Sequence, residues 1–238
     1  REFAKAEKQA VLMTRRHPNY AYSWRSLGAA RVELKRPADA LEALAEAPRL
    51  EPNDDQGVYW LGSARFALKD WDQASRELQQ CLALNPRHAA AHALLARVYS
   101  AQGRRERAME SIDTARSLDP DSPAILTQRI NIFSAARRME DVLADCQRLL
   151  ELDNNNPSAY SLVATKYCEM TDFARGAHYF EEALKRRPDY LEAFSNLIFN
   201  AHYDPSLSRQ HIAALIQRWR ASFSPAQRPR RPEGGGRE

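Results

Sequence analysis

Glycine is scarce in this chain, with 8 in 238 residues, and no segment alternates β-branched with polar residues. The first absence removes a Gly-rich phosphate loop, and the second leaves nothing that reads as a strand. Cysteine is rarer still. Cys81, Cys146 and Cys168 form no CxxC pair, so they read as reduced thiols acting as small buried hydrophobes on helices. His88 and His92 are four residues apart, but no thiol or carboxylate joins them, and no metal is expected. No run of 18 apolar residues occurs, and the opening Arg-Glu-Phe-Ala-Lys-Ala-Glu-Lys lacks the pattern of a secretory leader. No membrane partner is therefore expected, and the expected compartment is the cytoplasm. A nucleophile with its base and orienting group is also missing, so no catalytic residue and no cofactor is assigned.

Charge is plentiful but nearly balanced: 35 Lys and Arg face 31 Asp and Glu, a formal net of +4. Part of that excess sits in the terminal tail. No stripe of basic residues with interleaved aromatics is present, so nucleic acid is not an expected partner.

What the chain has is helix-forming composition, rich in Ala, Leu, Glu and Arg, and a period of 34 residues. Prolines mark it at Pro18, Pro52, Pro86, Pro120 and Pro188, with Asn154 in the vacant slot. Small residues run in step at Ala6, Ala40, Ala74, Ala108 and Gly176, with Val142 in the remaining slot, and again at Gly28, Gly62, Ala96 and Ala164, with Ile130 in the remaining slot. Proline cannot continue a helix, so it ends one and resets the chain. Small side chains let two antiparallel helices, A and B, cross closely, as expected at Gly62 and Ala74. The unit Asp55–His88 shows the full set: Leu61-Gly62, Phe66, Trp71, Ala74, Leu78, Cys81 and Leu84-Asn85-Pro86.

This pattern resembles the tetratricopeptide (TPR) repeat. The resemblance implies an all-α fold, a right-handed TPR α-solenoid of stacked antiparallel helix pairs. A partial repeat is expected over 1–20 and full repeats over 21–54, 55–88, 89–122, 123–156 and 157–190. Terminal helices follow over 191–223, with a C-terminal capping helix that Ser208 caps and that carries Ile212, Leu215, Ile216 and Trp219 on one face. The tail 224–238 buries nothing and is expected to be disordered. Residues 1–20 match a B helix whose A helix is absent, which predicts further repeat upstream. The 123–156 repeat diverges: Ile130 and Val142 are large where small residues stand elsewhere, and Arg129 takes the place of Leu27, Leu61 and Leu95. Either a change of helix angle or superhelical twist, or simple repacking without a bend, is expected there.

In such a solenoid the A helices line the inner surface, and their second, fifth, ninth and twelfth positions project into it. Those positions supply the candidate partner-binding groove: Tyr22, Arg25, Gln56, Tyr59, Ser63, Phe66, Arg97, Asn131, Ser161 and Thr165. Hydroxyls, aromatics and two arginines suit a protein or an extended peptide. Arg25 and Arg97 each have the fork geometry to hold a carboxylate. The remaining positions of the basic-plus-asparagine set in chaperone-tail-binding TPR domains read Ala29, Trp60, Ala90 and Leu94, so a carboxylate clamp of that type is not expected.

Two segments are similar to the TPR arm of bacterial O-linked N-acetylglucosamine transferase-like proteins. They are Glu7–Gly28 and Ser195–Ser208, the second followed by the helix carrying Trp219. That resemblance implies an arm that presents protein substrates to a UDP-sugar-dependent glycosyltransferase. The family's asparagine ladder at the sixth A-helix position reads Ser26, Trp60, Leu94, Gln128, Leu162 and Asn196 here. A non-catalytic protein-binding scaffold is the first reading of the chain, and the substrate-recognition arm of a transferase is the alternative.

Overall fold

The computed structural model describes residues 2–223, so the tail expected to be disordered lies outside the described residues. Those residues form thirteen α-helices and no strand, an all-α solenoid of repeated helix pairs. Two compact units divide the chain, residues 1–138 and 139–238. The division falls inside the divergent repeat.

In the first unit α1 (Glu2–Arg16) packs on α2 (Ala21–Glu33), and α2 pairs with α3 (Pro37–Leu50). The pairs α4 (Asp55–Ala67) with α5 (Trp71–Leu84) and α6 (Ala89–Ala101) with α7 (Arg105–Leu118) follow, and α8 (Pro123–Ala135) closes the unit. Each A helix also touches the next, α2 on α4, α4 on α6 and α6 on α8, so one wall of the unit is made of A helices.

Within each pair the crossing is set by a small residue on A and a large one sixteen residues later on B. A β-carbon added at Gly28 would lie 2.2 Å from Leu44 Cγ, and one at Gly62 would lie 3.0 Å from Leu78 Cγ. Leu44, Leu78, Ile112 and, in the second unit, Phe180 hold this B position and are fully buried. Ala74, expected at the crossing, is also fully buried, and its carbonyl oxygen would lie 3.5 Å from a β-carbon added at Gly62. The A-to-B turns repeat too. Lys35, Lys69, Gly103, Arg137 and Thr171, each 34 residues from the next, adopt a left-handed backbone with φ of 62° to 74°. Only one of the five is a glycine, the residue such a conformation favours.

Arg129 shows how the divergent repeat stays packed. It is buried in a leucine's place; its guanidinium lies over the Phe133 ring at 4.0 Å, and its Nε donates to Asp113 at 2.6 Å. In sequence register, the repeat whose small A residue has become Ile130 carries Cys146 where the others carry Leu44, Leu78, Ile112 and Phe180.

In the second unit α9 (Met139–Leu152) packs on α10 (Pro157–Glu169), which pairs with α11 (Phe173–Arg186). Beyond them lie α12 (Leu191–Ala201) and α13 (Arg209–Ser222). The Ser208 hydroxyl caps α13 by accepting from the His211 N–H at 3.2 Å. Leu215 of α13 joins the core of Phe180, Leu184, Phe194 and Leu197, with Ile212, Trp219 and Phe223 packed around it.

Candidate functional site

The A-helix wall of the first unit carries an open groove of about 600 Å³. Period 3.6 brings side chains four and seven residues apart onto one face, so α4 contributes Tyr59, Ser63 and Phe66 together. From α6 come Ala90, Ala93, Leu94 and Arg97, and from α8 Ala124, Ile125 and Gln128. Val32, Glu33, Lys35 and Pro37 form the edge at the α2–α3 turn, and Asp119 and Ser122 form the edge before α8.

Aromatic contacts fix the floor. Tyr59 meets Trp60 edge-on at 5.3 Å and stacks on His88 at 4.9 Å between centroids. Phe66 leans on Trp71 at 5.1 Å, and the Arg97 guanidinium lies over the Phe66 ring at 4.3 Å. His88 is held in turn. Its Nδ1 accepts the Ala91 N–H at 3.1 Å and so caps α6, and its Nε2 lies 3.0 Å from the Gln56 side-chain amide nitrogen. Burial pushes the His88 pKa down; the nearby Asp55 opposes the shift and His92 adds to it. Burial raises the Tyr59 phenol, and Glu33 adds to the shift while Arg97 opposes it. The phenol thus sits in the field of one acid and one base.

Of the ten expected site residues, four line this groove: Tyr59, Ser63, Phe66 and Arg97. Tyr22 lines a neighbouring depression of about 520 Å³ with Ser26, Trp60, and Phe3, Ala10 and Met13 of α1. Arg25 is committed elsewhere: it forms an ion pair with the buried Asp54 and lies over the Tyr22 ring at 5.1 Å. Gln56 serves His88, and Asn131 is exposed beyond Gln128 on α8. Ser161 and Thr165 belong to the second unit; Ser161 is buried, and its carbonyl accepts the Thr165 hydroxyl at 2.9 Å.

The expected positions omitted the sixth of each A helix, yet Trp60, Leu94 and Gln128 all line the groove. A signal for them was available, because these are the positions of the asparagine ladder noted in the sequence. The edge residues Glu33, Lys35 and Asp119 come from helix ends and turns, which a helix-face pattern does not register.

Residues 65–130 match the family described as tetratricopeptide repeat. None of the curated proteins compared with the chain matches it. Solved structures resemble it in fold. The Cut9–Hcn1 hetero-tetramer of the APC/C superposes with a TM-score of 0.73 at 12% identity over 93% of this chain. The chain spans 44% of that protein's length. PilF of Pseudomonas aeruginosa gives 0.68 at 15% identity, covering 85% of this chain and 91% of its own. YrrB, described as a TPR protein with an unusual peptide-binding site, gives 0.59 at 13% identity, covering 80% and 98%. The fold these share with the chain is an all-α array of repeated helix pairs. Among the described residues no helix is long and apolar enough to cross a membrane.

Proposed function

We propose that the chain is a non-catalytic scaffold that binds an extended peptide, or an extended segment of a protein, in the groove of α4, α6 and α8. One observation carries this reading: Tyr59, Trp60 and Phe66 are left part-exposed side by side in an open furrow instead of being closed into the core. Aromatic anchors flanked by a hydroxyl and a guanidinium match what a peptide presents, an apolar side chain beside polar backbone. The repeat-family match and the description of YrrB support the same reading.

The test uses peptides selected on the wild-type chain from a displayed library. Tyr59→Ala combined with Phe66→Ala should weaken their binding by about tenfold or more, as loss of central aromatic anchors does. The circular dichroism spectrum should stay unchanged. Affinity equal to wild type would remove the groove from consideration.

The segment Ser195–Ser208 favours a second reading, because it resembles the point where transferase-like proteins leave their TPR arm. In that reading the groove recruits protein substrates for a UDP-sugar-dependent O-glycosyltransferase. Reading the parent gene past Glu238 discriminates the two: several hundred further residues with alternating strand and helix patterns would support the arm.

A further inference from the structure

Two arginines were available to the A-helix wall, and the structure separates their roles. Arg25 is held by Asp54. Arg97 is exposed, and among the described residues it has no carboxylate within ion-pair distance. Its guanidinium is supported from one side by Phe66 at 4.3 Å, which leaves the N–H edge directed away from the ring face. Such a group is partly desolvated and already oriented, which reduces the entropy lost when an anion binds.

We infer that Arg97 determines the specificity of the groove, whose occupant is an extended peptide carrying a single Asp or Glu beside a bulky apolar residue. The carboxylate takes the Arg97 fork, and the apolar side chain takes the surface of Tyr59 and Trp60. This rests on the groove reading above. Charge decides the class of anion. The groove's ionisable groups are Glu33 and Asp119 against Lys35 and Arg97, two of each sign. A polyanion meets no net attraction from two charges of each sign, whereas a single carboxylate needs only the Arg97 fork. A phosphate dianion would want a second cation beside Arg97, and the neighbours on α6 are Ala93 and Leu94.

The experiment is a double-mutant cycle on peptides selected by the wild-type chain. Selection should enrich Asp or Glu next to an aromatic or aliphatic residue. Changing that acid to its amide should weaken binding about tenfold, the scale of one charge-assisted bidentate contact. In Arg97→Gln the acid and amide peptides should bind equally, and Arg97→Lys should recover only part of the difference. Selected peptides without an acidic preference, or an acid–amide difference unchanged in Arg97→Gln, would overturn the inference and leave the groove intact. Peptides that bind Tyr59→Ala/Phe66→Ala as tightly as wild type would overturn the groove reading as well. Two further outcomes also overturn it: a phosphoserine peptide bound more tightly than its aspartate counterpart, and self-association in sedimentation that Arg97→Gln abolishes.

Discussion

Gly28 and Gly62 hold the same place on successive A helices, yet their tolerance should differ. Alanine is worth about 1 kcal/mol over glycine inside a helix. At Gly62 the added carbon would meet Leu78 at 3.0 and 3.1 Å, which a shift of a few tenths of an ångström relieves. Gly62→Ala is therefore expected to be close to neutral. At Gly28 it would fall 2.2 Å from the Leu44 branch carbon, in a side chain with no exposure. Overpacking of that kind costs about 1–3 kcal/mol, so Gly28→Ala should lower the denaturation midpoint. Equal midpoints for the two variants would contradict this account of the crossing. His88 gives a pH prediction. Its folded pKa lies below the ordinary 6.5, so the unfolded chain binds the proton more readily. Stability should be fully present above about pH 6.5 and fall as the pH drops toward the folded value, where protonation also removes the Nδ1 cap of α6. His88→Asn keeps a capping acceptor and should flatten that slope in pH-dependent melting curves. Burial pushes the Cys81 and Cys146 thiols to about 12 and Cys168 to about 11. At pH 8 the folded chain should therefore react with iodoacetamide far more slowly than the unfolded chain.

Turns and caps operate at the scale of the element. Five A-to-B turns require a left-handed residue, and Thr171 is the β-branched one among them. That conformation costs an L-residue roughly 1–2 kcal/mol, more than glycine's extra entropy in the unfolded chain. Thr171→Gly should raise the melting temperature of the second unit. The α13 cap separates two kinds of contact. Leu215 is buried against Leu197 and its neighbours, and Leu215→Ala should cost about 2 kcal/mol or more. Arg218 forms a forked pair with Glu181 at 2.6 and 2.7 Å, but Arg218 is exposed and Glu181 only half-buried, so solvent screens the pair. Arg218→Ala should change stability by about 1 kcal/mol at most. Denaturant titration of both variants checks that apolar burial, rather than the ion pair, holds the cap.

At the scale of the molecule, a formal charge of +4 spread over 66 ionised Lys, Arg, Asp and Glu side chains (35 + 31) leaves little long-range field. Binding to random oligonucleotides should vanish between about 50 and 200 mM salt, the range over which contacts to phosphate alone weaken steeply.

Much of this architecture was legible in the sequence because it is local. Helix composition, prolines at the B-helix ends, small residues at the crossings and Ser208 before the last helix all act within a few residues of themselves. The same holds for Tyr59, Ser63 and Phe66, which one helix places on one face. Other features required neighbours distant in sequence. Arg25 and Arg97 look equivalent as A-helix positions, and only folding puts Asp54, 29 residues away, against the first and leaves the second on Phe66. The groove edges at Glu33, Lys35 and Asp119 arise likewise where separate turns converge. Local patterning thus determined the helices and their pairing, because each signal is carried by the residues it shapes. Which charge stands free in the groove was decided by tertiary contact, because an ion pair depends on what the fold brings within reach.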